Sequence, residues 1–171
     1  IIFPTDTVYG IGCSVFDKDG QKRIYEIKNR PLNKRLSVLC KDLEQIKKIA
    51  VVTSDAEKLI NEFMPGGLTL VLESKKELIG EGIFETVGVR IPNHPVALKL
   101  LEEYGPMATT SVNLSGEDPL NDYDEIVNKF MDKVDMIYPN DLKSSKISST
   151  VVNMTTNPYE LIREGEISFK D

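Results

Sequence analysis

The run Ile1-Ile2-Phe3-Pro4-Thr5-Asp6-Thr7-Val8-Tyr9-Gly10-Ile11-Gly12 decides how the rest of the chain is read. Ile1, Ile2 and Phe3 have the character of a buried strand, and Pro4, with no N–H to give to a ladder, stops it. Thr5, Asp6 and Thr7 then fall just beyond a strand end, which is where α/β sheets hold their ligands. Gly10 and Gly12 permit either a sharp turn or a close approach of the backbone to something else. The same residues also spell a plain turn, and from these letters alone both readings stand. Asp6 could help to coordinate a metal, but it stands alone in sequence and suits a turn better.

The chain has 171 residues, 40% of them hydrophobic, enough for one well-buried core, and one domain over residues 1–171 is expected. Cys13 and Cys40 have no metal-ligand or disulfide spacing, so buried free thiols in a reducing cytosol are expected. No stretch approaches the roughly twenty apolar residues that cross a bilayer, and no charged-then-apolar leader stands in the sequence, so a cytoplasmic protein without membrane contact is expected. The first residue is Ile in mid-strand, so the natural start is expected to lie further upstream. A formal charge of −6 argues against a surface that binds nucleic acid nonspecifically. A local basic run, Lys22 to Arg35, reads most simply as a solvated helix face.

Helices are expected over Gln21–Asn29, ended by Pro31, from Asp42 to about Ile49, and from a capping box at Ser54-Asp55-Ala56-Glu57 to Phe63. Two more follow, over Pro95–Tyr104 with Gly105 beyond it, and from a capping box at Asp122 to about Lys133. Strands are expected at Leu36–Cys40, Leu68–Leu72, Thr86–Ile91, Met107–Ser111, Asp135–Tyr138, Thr150–Asn153 and Tyr159–Arg163. Strands outnumber the helices that could serve as parallel crossovers, which predicts an α/β fold bordering on α+β, with a twisted mixed sheet and helices outside.

No glycine-rich nucleotide loop of the GxGxxG or GxxxxGK[ST] kind occurs, so a nucleotide would have to be held by other means. Lys28-Asn29-Arg30-Pro31 sets two cations two residues apart, and in an extended segment both could point to one side and clamp a polyphosphate. From these residues alone, ordinary salt bridges are the favoured reading of the pair. Thr109-Thr110-Ser111-Val112-Asn113-Leu114-Ser115-Gly116 and Ser148-Ser149-Thr150 are hydroxyl-rich strand ends, and Arg90 and Arg163 each end an apolar strand. Together they have the composition of an anion pocket. The single histidine, His94, precedes a proline and reads as a helix cap, so no nucleophile has a visible base and a serine-hydrolase triad is not expected.

In order along the chain, "PTDTVYGIG" from Pro4, "KNRP" from Lys28, "RLSVLC" from Arg35, "PGGLTLVL" from Pro65, "VGVRIPNHP" from Val87, "TSVNLSG" from Thr110, "SSTVVNMT" from Ser148 and "LIREGEI" from Leu161 resemble the blocks of the YrdC/YciO family. The resemblance implies a twisted α/β sheet around a large, open, positively lined cavity. It implies synthesis of L-threonylcarbamoyladenylate from L-threonine, bicarbonate and ATP with release of pyrophosphate, as a nucleotidyltransferase. Magnesium would accompany ATP, and a threonylcarbamoyl transferase complex that modifies tRNA would accept the product. Carried over by motif, Thr7, Arg90, Thr109 and Ser149 would hold threonine. Arg30, Lys34, Thr86, Ser111, Asn113 and Arg163 would hold ATP, with Lys28, Arg30, Ser111 and Asn113 as the catalytic set. Because the chain ends soon after Arg163, it is expected to resemble the short form of the family, without the extra C-terminal domain of the longer synthases. It departs from the family pattern at Val112, where alanine is common, at Arg35, where proline is common, and at Glu117-Asp118, which place two acids near the phosphate-binding segment. The alternative is a non-catalytic module of the same fold that binds tRNA or ribosomal RNA through the cavity, with steep salt dependence.

Overall fold

A computed structural model describes residues 1–31, 34, 36–78, 83–112, 120, 122–139, 149–156 and 158–165. In chain order the elements are β1 (Ile2–Phe3), β2 (Gly10–Ser14), α1 (Lys18–Lys28), β3 (Ser37–Leu39), α2 (Leu43–Ile49), β4 (Ala50–Val51), α3 (Ser54–Phe63), β5 (Leu68–Ser74), β6 (Thr86–Arg90), α4 (Pro95–Tyr104), β7 (Met107–Ser111), α5 (Tyr123–Phe130), β8 (Thr150–Asn153) and β9 (Glu160–Arg163). One sheet runs in the order β1-β2-β7-β3-β6-β5-β8-β9, with β4 paired to β5 outside that path. The β3·β6 and β5·β8 pairs are parallel and the others antiparallel, the mixed sheet expected from too few crossover helices.

Several local expectations are corrected. Gly10 and Gly12 lie inside strand β2 and make no turn; they serve close approach instead. Helix α1 starts three residues earlier than the apolar spacing suggests, because the Asp17 carboxylate accepts the Gly20 N–H at 2.9 Å and caps it. It ends at Lys28 through Asn29 in the left-handed conformation, φ 51°, before Pro31 is reached. Thr53, one residue ahead of the expected Ser54, caps α3 by accepting the Ala56 N–H. Asp122 makes no side-chain cap, and α5 stops at Phe130. Asp135–Tyr138 forms no strand; the segment joins β1 only through a bridge between Ile137 and Ile2. His94 does cap α4, its Nδ1 accepting the Val96 N–H at 3.1 Å. Cys40 is buried and Cys13 half-buried, both as free thiols. No described helix is long and apolar enough to cross a membrane.

The two faces of the sheet differ in side-chain size. On one face Ile11, Val38, Leu70, Leu72, Val89 and Ala108 pack with Ile24 and Tyr25 of α1, Ile46 and Ile49 of α2, Ile60 of α3 and Phe130 of α5 in the main core. On the other face α4 alone among the described helices packs, its Leu100 and Leu101 meeting Phe3, Leu39 and Met107. Alternation then puts Gly12, Thr109, Ser37 and Gly88, cross-strand neighbours in successive strands, in one row on this second face. Of this row Ser37 and Thr109 line a hollow, while Gly12 lies close against the Phe3 ring and Gly88 against Thr69.

The fit of that row is close. A Cβ at Gly12 would lie 2.9 Å from Thr109 Oγ1, 3.0 Å from the Ala108 carbonyl oxygen and 3.3 Å from the Phe3 ring. We expect Gly12→Ala to push β2 from β7 and to cost about 1–3 kcal/mol in urea unfolding, the usual range for overpacking. An unchanged midpoint would show that the β2–β7 contact yields more readily than this geometry implies.

Candidate anion and amino-acid site

The hollow is a cavity of about 240 Å³ lined by Thr5, Thr7, Tyr9, Ser37, Leu39, Thr69, Thr109, Thr110, Ser111 and Ser149, with Arg30, Arg90 and Arg163 around it. No carboxylate is among its described lining residues. Three guanidiniums and a wall of hydroxyls, with little negative charge between them, constitute a receptor for anions.

Arg90, the last residue of β6, is 6% exposed, so its charge must be compensated. Its Nη1 donates to Asp6 Oδ1 at 2.9 Å and to the Gly66 carbonyl at 3.1 Å, and Nη2 donates to Thr7 Oγ1 at 3.1 Å. Asp6 Oδ1 also accepts the Asn93 N–H at 3.0 Å. The expectation of a simple turn role for Asp6 is therefore corrected: it is the counter-ion that aims Arg90. Gly66 can offer its carbonyl because its φ is 155° and a Cβ there would sit 2.8 Å from the Phe63 carbonyl oxygen. Thr7 is set in turn by Thr5, whose hydroxyl lies 3.1 Å from that of Thr7, accepts the Thr7 N–H and donates to the Val8 carbonyl at 2.6 Å.

Across the hollow, Arg163 of β9 donates through Nε to the Ser149 carbonyl at 3.0 Å and through Nη2 to Ser149 Oγ at 3.3 Å. The Ser149 and Thr69 hydroxyls are 2.7 Å apart. Burial, and then the nearby Arg90 charge, hold the Arg163 guanidinium below its ordinary value. Burial does the same to Arg30, partly offset by Tyr25. Each of these shifts marks a cation that an incoming anion would relieve.

Arg30, Arg90, Thr7, Thr109, Ser111, Ser149 and Arg163 are thus brought together as the sequence suggests. Lys28 is not presented beside Arg30 on an extended segment. It closes a helix, is 1% exposed, and its Nζ donates to Thr110 Oγ1 at 3.0 Å and to the Ser111 carbonyl at 2.7 Å, behind the cavity wall. Lys34 is exposed and is not among the described lining residues; its carbonyl accepts the Tyr25 hydroxyl. Thr86 shares a sheet face with Arg90 but lies four residues, about 13 Å, along β6. It lines a separate cavity with Glu73, Ser74, Lys76 and Glu85. Asn113 falls outside the described residues, as do Arg35, Glu117 and Asp118.

Ser37 and Thr69 were not singled out as ligand-facing by sequence. For Ser37 and Thr69 the available signal was a lone hydroxyl residue interrupting an apolar strand, as in "LSVL" and "LTLVL".

A family model described as Telomere recombination, of the Sua5/YciO/YrdC type, matches residues 1–165. A protein of Methanocaldococcus jannaschii named as a putative threonylcarbamoyl-AMP synthase is 36% identical, across 98% of this chain and 80% of its own length. A threonylcarbamoyl-AMP synthase of Pyrococcus abyssi is 35% identical across the whole of this chain, which spans only about half, 52%, of that protein. The crystal structure of P. abyssi Sua5 complexed with L-threonine superposes with a TM-score of 0.89 at 36% identity, over 96% of this chain and 49% of that one. That of Escherichia coli YciO superposes with a TM-score of 0.84 at 31% identity, over 96% and 82% of the two chains. On the family match over residues 1–165, and on relatives 35–36% identical over nearly the whole chain, the chain belongs to the Sua5/YciO/YrdC family.

Proposed function

We propose that this chain makes L-threonylcarbamoyladenylate from L-threonine, bicarbonate and ATP, releasing pyrophosphate, as a nucleotidyltransferase acting before the threonylcarbamoylation of tRNA. The observation that carries the reading is the convergence of Arg30, Arg90 and Arg163 on one hydroxyl-lined cavity. Threonine and ATP are both anionic at the ends that must meet, so a site that unites them has to be cationic.

Arg90 is the receptor for the threonine carboxylate. It is held by Asp6 and Gly66 through Nη1 and by Thr7 through Nη2, so it cannot swing away when the carboxylate arrives. The hydroxyls of Thr7 and Ser149, with Thr109 beside them, orient the amino acid's remaining polar groups. The threonine amine adds to the carbon of bicarbonate with loss of water, giving a carbamate. A carbamate oxygen then attacks the α-phosphorus of ATP, and the bond from that phosphorus to the bridging oxygen breaks to release pyrophosphate. Arg30 and Arg163 face the phosphates, offsetting the repulsion between carbamate and triphosphate and the charge that develops on the leaving group. The small volume suits the meeting point of carboxylate, carbamate and phosphates, with the nucleoside reaching beyond it. Such catalysis is positioning and electrostatics, and it needs no nucleophile with a paired base.

The described lining side chains are hydroxyls and guanidiniums, and no group of three or more His, Cys, Asp or Glu lies together among the described residues. That donor set does not fit a metal held by the protein. Magnesium is therefore assigned to the ATP it accompanies, with the adenylate passed to a threonylcarbamoyl transferase complex.

Purified protein given ATP, magnesium and bicarbonate should release pyrophosphate only when L-threonine is added, and Arg30→Ala or Arg163→Ala should slow release by about 100-fold or more. Threonine-independent release, or none from folded protein, would overturn the synthase reading, and RNA binding that weakens steeply with salt would replace it. Asp6→Ala should raise the threonine concentration needed for half-maximal release. It should also lower unfolding stability by about 3 kcal/mol, since it leaves Arg90 buried with its counter-ion gone. Loss of stability with unchanged threonine dependence would show that Asp6 does not aim Arg90 at the amino acid.

A further inference from the structure

Lys28 is the one charged residue among the largest fully buried side chains of the described chain. It does not line the cavity, yet both groups it holds, the Thr110 hydroxyl and the Ser111 carbonyl, belong to residues that do. Because Thr110 and Ser111 end β7, the lysine ties the end of α1 to the rim where the phosphates are placed.

Resting on the anion-site reading above, we propose that Lys28 is a positioning residue that takes up a proton when ATP binds: its ammonium, one residue-layer behind the wall, becomes the compensating charge for phosphates it never touches.

The surroundings are one-sided. The charged groups acting on Lys28 are Arg30 and Lys34, both cations, and β7 offers a hydroxyl and a carbonyl but no ionisable side chain. The one ionisable residue of β2, Cys13, bonds the Asp17 carbonyl at the far end of α1 and is pushed up to about 12, so it stays a neutral thiol. Burial first, and then Arg30 and Lys34, bring the Lys28 ammonium down to about 7. In the free protein near pH 8 the amine is therefore largely neutral. Polyphosphate beside Arg30 reverses the sign of the local field and favours the charged form, so binding and protonation are linked. A salt-bridged surface lysine is already protonated at that pH and would give no such uptake.

The sign for folding follows from the same shift. Between about 7 and 10.5 the unfolded chain binds more protons at this residue than the folded one, so its contribution makes the free protein more stable as pH rises through that window. Bound ATP cancels the trend.

The decisive measurement is calorimetry of ATP binding, with magnesium, at pH 8 in buffers of different ionisation enthalpy. Wild type should take up roughly one proton per ATP bound. Lys28→Arg, whose charge does not titrate, and Lys28→Met, which has none, should both lose that uptake, with ATP held more tightly by the arginine variant than by the methionine one. Comparison of the three in the same buffers cancels protons exchanged by the nucleotide itself. ATP binding with no uptake in wild type, or with uptake retained in Lys28→Arg, would overturn the role given to Lys28 and leave the synthase reading intact. Failure of all three proteins to bind ATP would overturn both.

Discussion

Arg90 buried against Asp6 is the interaction from which the arrangement of the site follows. A guanidinium that is 6% exposed has to be answered by acceptors, and these come from two distant parts of the chain. Asp6 and Thr7 come from the segment after β1, and Gly66 from the turn between α3 and β5. Satisfying one cation therefore fixes two loops against the end of β6. The cavity wall is in this sense a by-product of hydrogen-bond bookkeeping: the polar groups that rim it are held in place because the arginine would be costly without them.

The second constraint is steric. A nine-stranded sheet with helices mostly on one side would expose a broad apolar face if its other side were built of large residues. Here α4 covers part of that face, and Ser37, Thr69 and Thr109 make a polar hollow of the part beside it. Gly12 matters to stability because Phe3 and Thr109 close against it, and space for a ligand exists where the face carries Ser37, Thr69 and Thr109 in place of large apolar side chains. The floor serves shape, the three arginines serve charge, and neither alone would define a site for two anions.

The element types were largely legible because they depend on local rules. Proline at the first turn and glycine past the end marked α4, Asp42 marked α2, and apolar runs marked β5, β6, β7 and β8. What failed were features set by tertiary contact. Strand β2 looks like a glycine turn until β7 lies beside it, and Asp135–Tyr138 has strand composition but meets β1 only in one bridge, the Met136 carbonyl accepting the Ile2 N–H and the Tyr138 N–H donating to the Ile2 carbonyl. The site followed the same division. Arg90 and Arg163 at strand ends and Arg30 in the Lys-x-Arg pair were visible as candidates, and the three do converge. The pairing of Asp6 with Arg90 spans 84 residues, and no local spacing can announce it. Ser37 and Thr69 show only as single hydroxyls in apolar strands, since their common face is defined by register.

Lys28 shows most clearly how position changes chemical meaning. Read along the sequence, it is half of a Lys-x-Arg clamp and should touch phosphate. Asn29 in the left-handed conformation turns the chain between the two residues, so Arg30 faces the cavity while Lys28 is directed into the protein toward the end of β7. A flexible ammonium in the open would be permanently charged and would meet phosphate directly, with solvent weakening the contact. Placed in the interior beside two other cations, the same group spends less time charged in the empty site and more in the filled one. The motif thus separates its two charges into a fixed one that meets the ligand and a variable one that responds to it. That separation reduces the repulsion stored in a pocket that must hold three arginines together before any anion arrives.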